Sequence, residues 1–391
     1  MKKISLHQLA TIILLLIFCP KSFAANNDYS ELANAKYLLL LDQDTKEVLL
    51  EKNADARIPP SSMTKIMTAY VIFDQLKQGK IHLSNQCVIG KDAWKKSGSK
   101  MFLNYGDVVS VDKLITGLLV VSGNDAAVAL AEAASGSVEN FAQLMNETAK
   151  KIDLKNSHFK NPHGLNEDSQ YMSIRDLSIV ASRIASDFPE YLHYFSEINF
   201  TYQNITQHNR NPLIKKDYEG ATGMKTGHTN EGGYGVVGTA TRGGRHLIAI
   251  TNEAKTPKQR EKIITQLMDY GFNKYKKITI FDTKHPIAKA KVWLGEKSEV
   301  EMVNDQNIAV TVPESESIDK IKVQIKYKGP IYAPILKNDK IGTLTVEIAG
   351  KKIREIPLFA KENIDKVSYF NRIYTVTKYQ LRQFLSIIKN H

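Results

Sequence analysis

RIPPSSMTKIMT, from Arg57 to Thr68, decides how the rest of the chain is read. Two adjacent serines, Ser61 and Ser62, follow Pro59 and Pro60, and Lys65 stands three residues beyond the second serine. Proline is well tolerated at or before the first helical turn, because those N–H groups have no intrahelical partner. The continuation SSMTKIMTAYVIFDQL places Ile66, Tyr70, Ile72 and Phe73 near helical spacing. Ser62 therefore falls at the positive end of a helix, where spare N–H groups would stabilise an oxyanion. Lys65, one turn on, shares its face. A lysine serves as a base only if burial or a second cation lowers its pKa. The apolar helix meets the first condition, and the second asks for another buried lysine.

Spacing alone does not single out Ser62. The pattern S-x-x-K occurs six times, at Ser62, Ser97, Ser110, Ser157, Ser317 and Ser386. Context separates them. Only Ser62 has a proline-led, strongly apolar helix after it. Further on, Lys225, Thr226 and Gly227 open a Gly-rich, β-like run, where a ligand could pair along the strand edge and present a carboxylate to Lys225 and Thr226. The turn Ser122 to Asn124 interrupts two apolar helices. It offers a hydroxyl able to relay a proton and an amide able to hold a carbonyl. Each piece has a plain alternative: a helix cap, a pair of turn formers, a solvated strand lysine. In this order, however, S-x-x-K, S-x-N and K-T-G form the signature of penicillin-recognising serine enzymes.

PPSSMTKIMTAY, LLVVSGNDAAVALAE and GMKTGHTNEGGYGVVGTAT resemble the three motifs of the D-alanyl-D-alanine carboxypeptidases, low-molecular-mass penicillin-binding proteins of the type-5 group. NSHFKNPHGL and YMSIRDLSIVASRI resemble that family's linking segment. The resemblance extends over essentially the whole mature chain and implies roles. Ser62 is the acylated nucleophile and Lys65 its base. Ser122 relays protons, and Asn124 completes the second motif. Lys225, Thr226 and Gly227 hold the substrate carboxylate. The backbone N–H groups of Ser62 and His228 form the oxyanion hole. The implied reaction is attack on the D-Ala–D-Ala amide of a peptidoglycan stem peptide, release of D-alanine, then hydrolysis of the acyl-enzyme. β-Lactams would acylate the same serine, and neither metal nor organic cofactor is required. The sister reading, a β-lactamase, would need a deacylating base, for which Glu167 in GLNEDSQYMS is the candidate. A third reading is a membrane-surface binding protein that has lost catalysis.

The two ends add location. Lys2 and Lys3, the apolar run LATIILLLIF and the small-residue close SFA form a secretory signal peptide over residues 1–24. Its removal takes away Lys2, Lys3 and Lys21, which lowers the formal net charge from +12 to about +9. A basic exported chain suits an acidic envelope surface; nucleic acid is disfavoured. Only Cys87 then remains, which excludes an internal disulfide and reads as a small buried hydrophobe. His158 and His163 lack a wider ligand set and read as structural.

The fold class expected is α/β in the α+β sense, an antiparallel sheet sandwiched by helices over residues 25–275, of the β-lactamase and transpeptidase type. Asp42 and Asp44 read as turn formers between two strands. Residues 276–365 alternate as in a small β-sandwich, with Ile321, Val323, Ile325 and Tyr327 on one face. Residues 366–391 return to helical period, with Phe370, Ile373, Tyr374, Leu381 and Phe384 on one face and basic residues mostly off it. Such a helix suits lying in the interface of the inner membrane, on its periplasmic side.

Overall fold

The computed structural model describes residues 29–374, 376–378 and 381. The expected signal peptide over residues 1–24 and half of the expected amphipathic segment over residues 366–391 lie outside the described residues.

One five-stranded antiparallel sheet organises the larger domain. Its spatial order is Glu47–Lys52, Tyr37–Asp42, Arg245–Ala254, Gly233–Arg242 and Ala221–Thr229. The leucine run YLLLL explains its middle. Side chains alternate across a strand, so Leu39 and Leu41 enter the core on one face while Leu38 and Leu40 enter that on the other. The first face packs on the helices Thr64–Lys77, Val111–Leu119, Asn124–Ser135, Val138–Lys151 and Ile174–Asp187. The second packs on Ser30–Asn34 and on Pro257–Lys274, through Ile263, Ile264, Leu267 and Met268. The helix-sandwiched antiparallel sheet read from the sequence is the observed fold. Gly243 and Gly244, both at positive φ, close the hairpin between Gly233–Arg242 and Arg245–Ala254.

The helix starts follow side-chain chemistry. Ser137 accepts from the Asn140 N–H and caps its helix as its sequence position predicts. Ser110 does the same for Lys113, so that rival S-x-x-K is a helix cap. The helix after Ser62 departs from expectation. It is buried on every side from Thr64 to Phe73, not along one stripe. It runs through the middle of the domain, enclosed by other helices and the sheet.

A second domain follows from Tyr275. A six-stranded sheet in the order Ile321–Lys326, Lys340–Ile348, Lys351–Ala360, Glu299–Val303, Ala288–Trp293 and Ile331–Tyr332 is joined by the ribbon Tyr275–Phe281 with Ile308–Pro313. Their inner faces share one apolar core containing Val300, Met302, Val310, Val312, Leu344 and Leu358. Ile321, Val323 and Ile325 line that core as the alternation predicts. Tyr327 does not: the strand ends at Lys326 and Tyr327 is exposed.

The two domains meet at the turn after Tyr37–Asp42. Asp42 is fully buried. Its Oδ1 accepts from the Asp44 and Thr45 N–H groups, which is the turn chemistry expected. Its Oδ2 accepts from Arg245 Nε at 2.7 Å and from Thr311 Oγ1 of the second domain at 2.9 Å. Arg245 Nη1 in turn donates to the carbonyls of Gly271 and Tyr275, where the chain passes between domains. Asp44 accepts from Lys277 at 2.6 Å, and Glu47 accepts from the Thr311 N–H at 3.2 Å. The turn residues thus also dock the second domain.

Candidate active site

Pro60, Ser61, Ser62 and Met63 form a single 3-10 turn directly before the buried helix. Ser62 thus precedes the α-helix proper. Ser61 is held at φ 49°, a conformation costly for any residue but glycine and its polar substitutes. Ser61 has no lysine three residues on, and its role is structural. In the structure its Oγ donates to Thr229 Oγ1 at 3.2 Å and ties the turn to the end of strand Ala221–Thr229. That strand is the sheet edge. Gly227 sits opposite the turn: a Cβ there would meet Pro60 O, Ser61 Cβ and Met63 Cγ at 3.1 Å each. The space that glycine leaves is filled by the nucleophile turn itself, in addition to any clearance for a ligand.

Lys65 is fully buried. Its Nζ lies 3.0 Å from Ser62 Oγ, 2.7 Å from Asn124 Oδ1 and 2.7 Å from the His163 carbonyl. Burial lowers its pKa well below the usual lysine range, with the positive charges of Lys225 and Arg210 adding to the effect. The two carbonyl oxygens can only accept, so each takes an N–H. A neutral amine then has only its lone pair left, directed at Ser62. The geometry suits removal of the serine proton.

Asn124 begins the helix Asn124–Ser135 and reads both ways. Its Nδ2 donates to Ser97 O at 2.8 Å and its backbone N–H donates to Ser99 O at 2.7 Å. Ser122, at φ 65° and 2% exposed, has no side-chain hydrogen-bond partner among the described residues. Lys225 is 2% exposed, its Nζ donating only to Thr226 O at 3.2 Å. Burial, and then the charges of Arg210 and Arg260, bring its pKa down to about 7. Thr226 is buried beside it. His228 is exposed, its ring stacked on Tyr234 at 3.9 Å.

Four contributors escaped the sequence reading. Arg210 donates to Ser99 Oγ at 2.5 Å and depresses both lysines. Asp125 is fully buried and its carboxylate accepts from the N–H groups of Met101, Phe102 and Leu103. The third is the backbone carbonyl of His163, while its ring stays neutral because burial outweighs its usual basicity. The fourth, Gly164, is required at φ 84°, since a Cβ would fall 1.8 Å from Ser61 O. The SGND string places an acid beside the asparagine, which signals Asp125; nothing local signals Arg210. Glu167, the candidate lactamase base, is exposed and has no hydrogen bond to Ser62 or Lys65. Cys87 is half-buried against the main core.

Residues 23–256 match the D-alanyl-D-alanine carboxypeptidase family, and residues 275–366 match the penicillin-binding protein 5 C-terminal domain. The chain is 37% identical over 371 residues to D-alanyl-D-alanine carboxypeptidase DacF of Bacillus subtilis, covering 91% of this chain and 93% of that one. Against DacC of Escherichia coli it is 35% identical over 378 residues, covering 95% and 94%. The crystal structure of penicillin binding protein 5 from Haemophilus influenzae superposes with a TM-score of 0.79 at 36% identity, over 85% of this chain and 98% of that one.

Proposed function

Because the chain belongs to the D-alanyl-D-alanine carboxypeptidase family, we propose that it works through Ser62 as nucleophile, with Lys65 as base. It is a serine-type D-Ala-D-Ala carboxypeptidase that removes the terminal D-alanine of stem pentapeptides and is acylated by β-lactams. The observation that carries the residue assignment is the three-way placement of Lys65 Nζ among Ser62 Oγ, Asn124 Oδ1 and His163 O.

The steps combine that placement with the roles the family resemblance implies. The substrate lies along the open edge of Ala221–Thr229, its terminal carboxylate on Lys225 and Thr226. Lys65 takes the Ser62 proton as Oγ attacks the carbonyl carbon of the penultimate D-alanine. The N–H groups of Ser62 and His228 hold the resulting oxyanion. The proton passes through Ser122 to the leaving nitrogen, the C–N bond breaks, and D-alanine departs. Water then gives its proton to Lys65, attacks the ester and frees Ser62.

The four-part division holds within this proposal: leader 1–24, catalytic domain 25–275, β domain 276–365 and anchor 366–391. The enzyme acts outside the cytoplasmic membrane, held to its periplasmic face by the last segment. Tyr369, Phe370, Ile373 and Tyr374 support this reading, since each is more than half exposed and unused by the core. No helix among the described residues is long and apolar enough to cross a membrane.

Incubation with a D-Ala-D-Ala peptide releases D-alanine, and fluorescent penicillin labels Ser62, as mass mapping of the adduct would read. Ser62→Ala should abolish both. Release that persists in this variant would sink the assignment.

A further inference from the structure

The segment from Lys91 to Gly106 is a wall of the catalytic cleft. Asn124 bonds Ser97 and Ser99 in its middle, and Arg210 bonds the Ser99 hydroxyl. Asp125 holds three successive N–H groups just beyond, so Met101 and Leu103 are buried and Phe102 between them is turned outward at φ 70°. Lys100 Nζ donates to Trp94 O, Gln207 to Lys100 O and Asn104 to Gln203. A backbone this heavily braced still presents Trp94 and Tyr105 to solvent, 42% and 66% exposed, with ring centres 6.3 Å apart and planes 47° apart. Val88 and Val108 are likewise exposed where their short strands pair. One exposed aromatic would need no explanation. An aromatic pair on a rigid segment that packs beside the catalytic centre does, because an exposed apolar patch with a polar rim marks a binding surface.

The rim supplies the chemistry. Lys91, Lys95, Lys96 and Lys100 surround the rings in sequence. Lys95, Lys96, Asp92 and Glu132 line an open cleft of about 700 Å³ along the same segment. Aromatic faces with nearby donors and acceptors fit a ligand that is flat and apolar on one side and polar at its edge. A pyranose ring has that form. We propose that Trp94 and Tyr105 stack the N-acetylated sugar rings of the glycan strand while the lysines meet carboxylates of its stem peptides. The enzyme then draws its pentapeptides chiefly from polymeric glycan. Aromatic side chains suit this use because their large rigid faces lose little conformational entropy on contact. The proposal rests on the carboxypeptidase reading and adds the carrier of the peptide.

The test compares two substrates with the mature full-length chain: an N-acylated tripeptide ending in D-Ala-D-Ala, and uncross-linked glycan strands bearing pentapeptides. In the Trp94→Ala/Tyr105→Ala double variant, kcat/KM on the glycan should fall about 10-fold through KM, while that on the tripeptide holds. Trp94→Phe with Tyr105→Phe, which keeps the flat faces, should restore most of the loss. An N-acetylglucosamine oligosaccharide should shift the emission of Trp94, and Trp94→Phe should remove that change. An unchanged glycan-to-tripeptide ratio, or equal loss on both substrates, overturns the proposal. If the unmodified enzyme releases no D-alanine from the tripeptide, the carboxypeptidase reading fails first and takes the glycan site with it.

Discussion

Two places in this molecule bury charge, and they do it in opposite ways. At the domain junction, Asp42 and Arg245 are both buried, sit 2.7 Å apart and are supported by Thr311 and two carbonyls. At the catalytic centre, the buried Lys65 and Lys225 and the exposed Arg210 beside them have no carboxylate bonded to them among the described residues. Pairing is what makes a buried charge tolerable in a fold. Its absence at the second place depresses the lysines, so one can be a base near neutrality and the other still seeks an anion. The junction spends its charges on structure, and the centre withholds them for a substrate.

The sharpest way to break that contrast is to remove one member from each side. Lys65→Met should lower kcat/KM by roughly 10³-fold or more while the melting temperature holds or rises, because a buried group whose charged form has no counter-ion is lost. Steady-state D-alanine release and thermal unfolding would read the two halves. If the variant melts much earlier, Lys65 is a structural residue after all.

Asp42→Ala should do the reverse. It leaves Arg245 buried and unpaired, at a cost of about 3–5 kcal/mol, with kcat/KM of the folded fraction changed less than about two-fold. Denaturant unfolding measures the first number. A loss of under about 1 kcal/mol would mean that the junction is held by apolar contact instead.

The titration of Lys225 sharpens the functional side. Its pKa of about 7 in the empty site means that the cation is present below that pH and lost above it. The kcat/KM profile should therefore fall on its alkaline side near pH 7, whereas kcat should hold to higher pH, since a bound carboxylate keeps the lysine charged. Penicillin acylation rates across pH 5–9 would show it, and Lys225→Met should erase the alkaline limb.

Glu47 gives the smallest effect. Burial raises its carboxyl to about 7, with Asp42 adding to the shift. Between the unfolded value of about 4.5 and the folded value, the native state holds the extra proton. That stabilisation is complete below about pH 4.5 and is lost as the pH rises through 7. Glu47→Gln should gain about 1 kcal/mol at pH 8, discounted because the group is only partly buried, and nothing at pH 4. Melting curves at the two pH values would separate this outcome from a pH-independent change.

Local chemistry was legible and distant chemistry was not. Ser62 and Lys65 sit three residues apart, so their pairing shows in the string. The apolar alternation in YLLLL and KIKVQIKY carries the sheets for the same reason. Arg210 acts on Lys65 and Lys225 through space, and the Asp42–Arg245 pair spans 203 residues, so neither leaves a local trace. Ser61 has no lysine partner in the string, yet its left-handed backbone and its bond to Thr229 fix where its neighbour points. The all-round burial of Thr64–Phe73 was hidden too, because Lys65 and the threonines read as polar until their partners are known.

The edge position of Ala221–Thr229 has one more consequence. An uncovered sheet edge invites any extended chain, including another copy of itself, and sheet proteins blunt such edges to stay monodisperse. Here Pro60 and the turn of Ser61 to Met63 pack over the face of that edge strand, close enough that a Cβ at Gly227 would meet them at 3.1 Å. The same turn that carries the nucleophile is therefore a gatekeeper: it narrows the edge to a slot that favours one short extended peptide end over a second sheet.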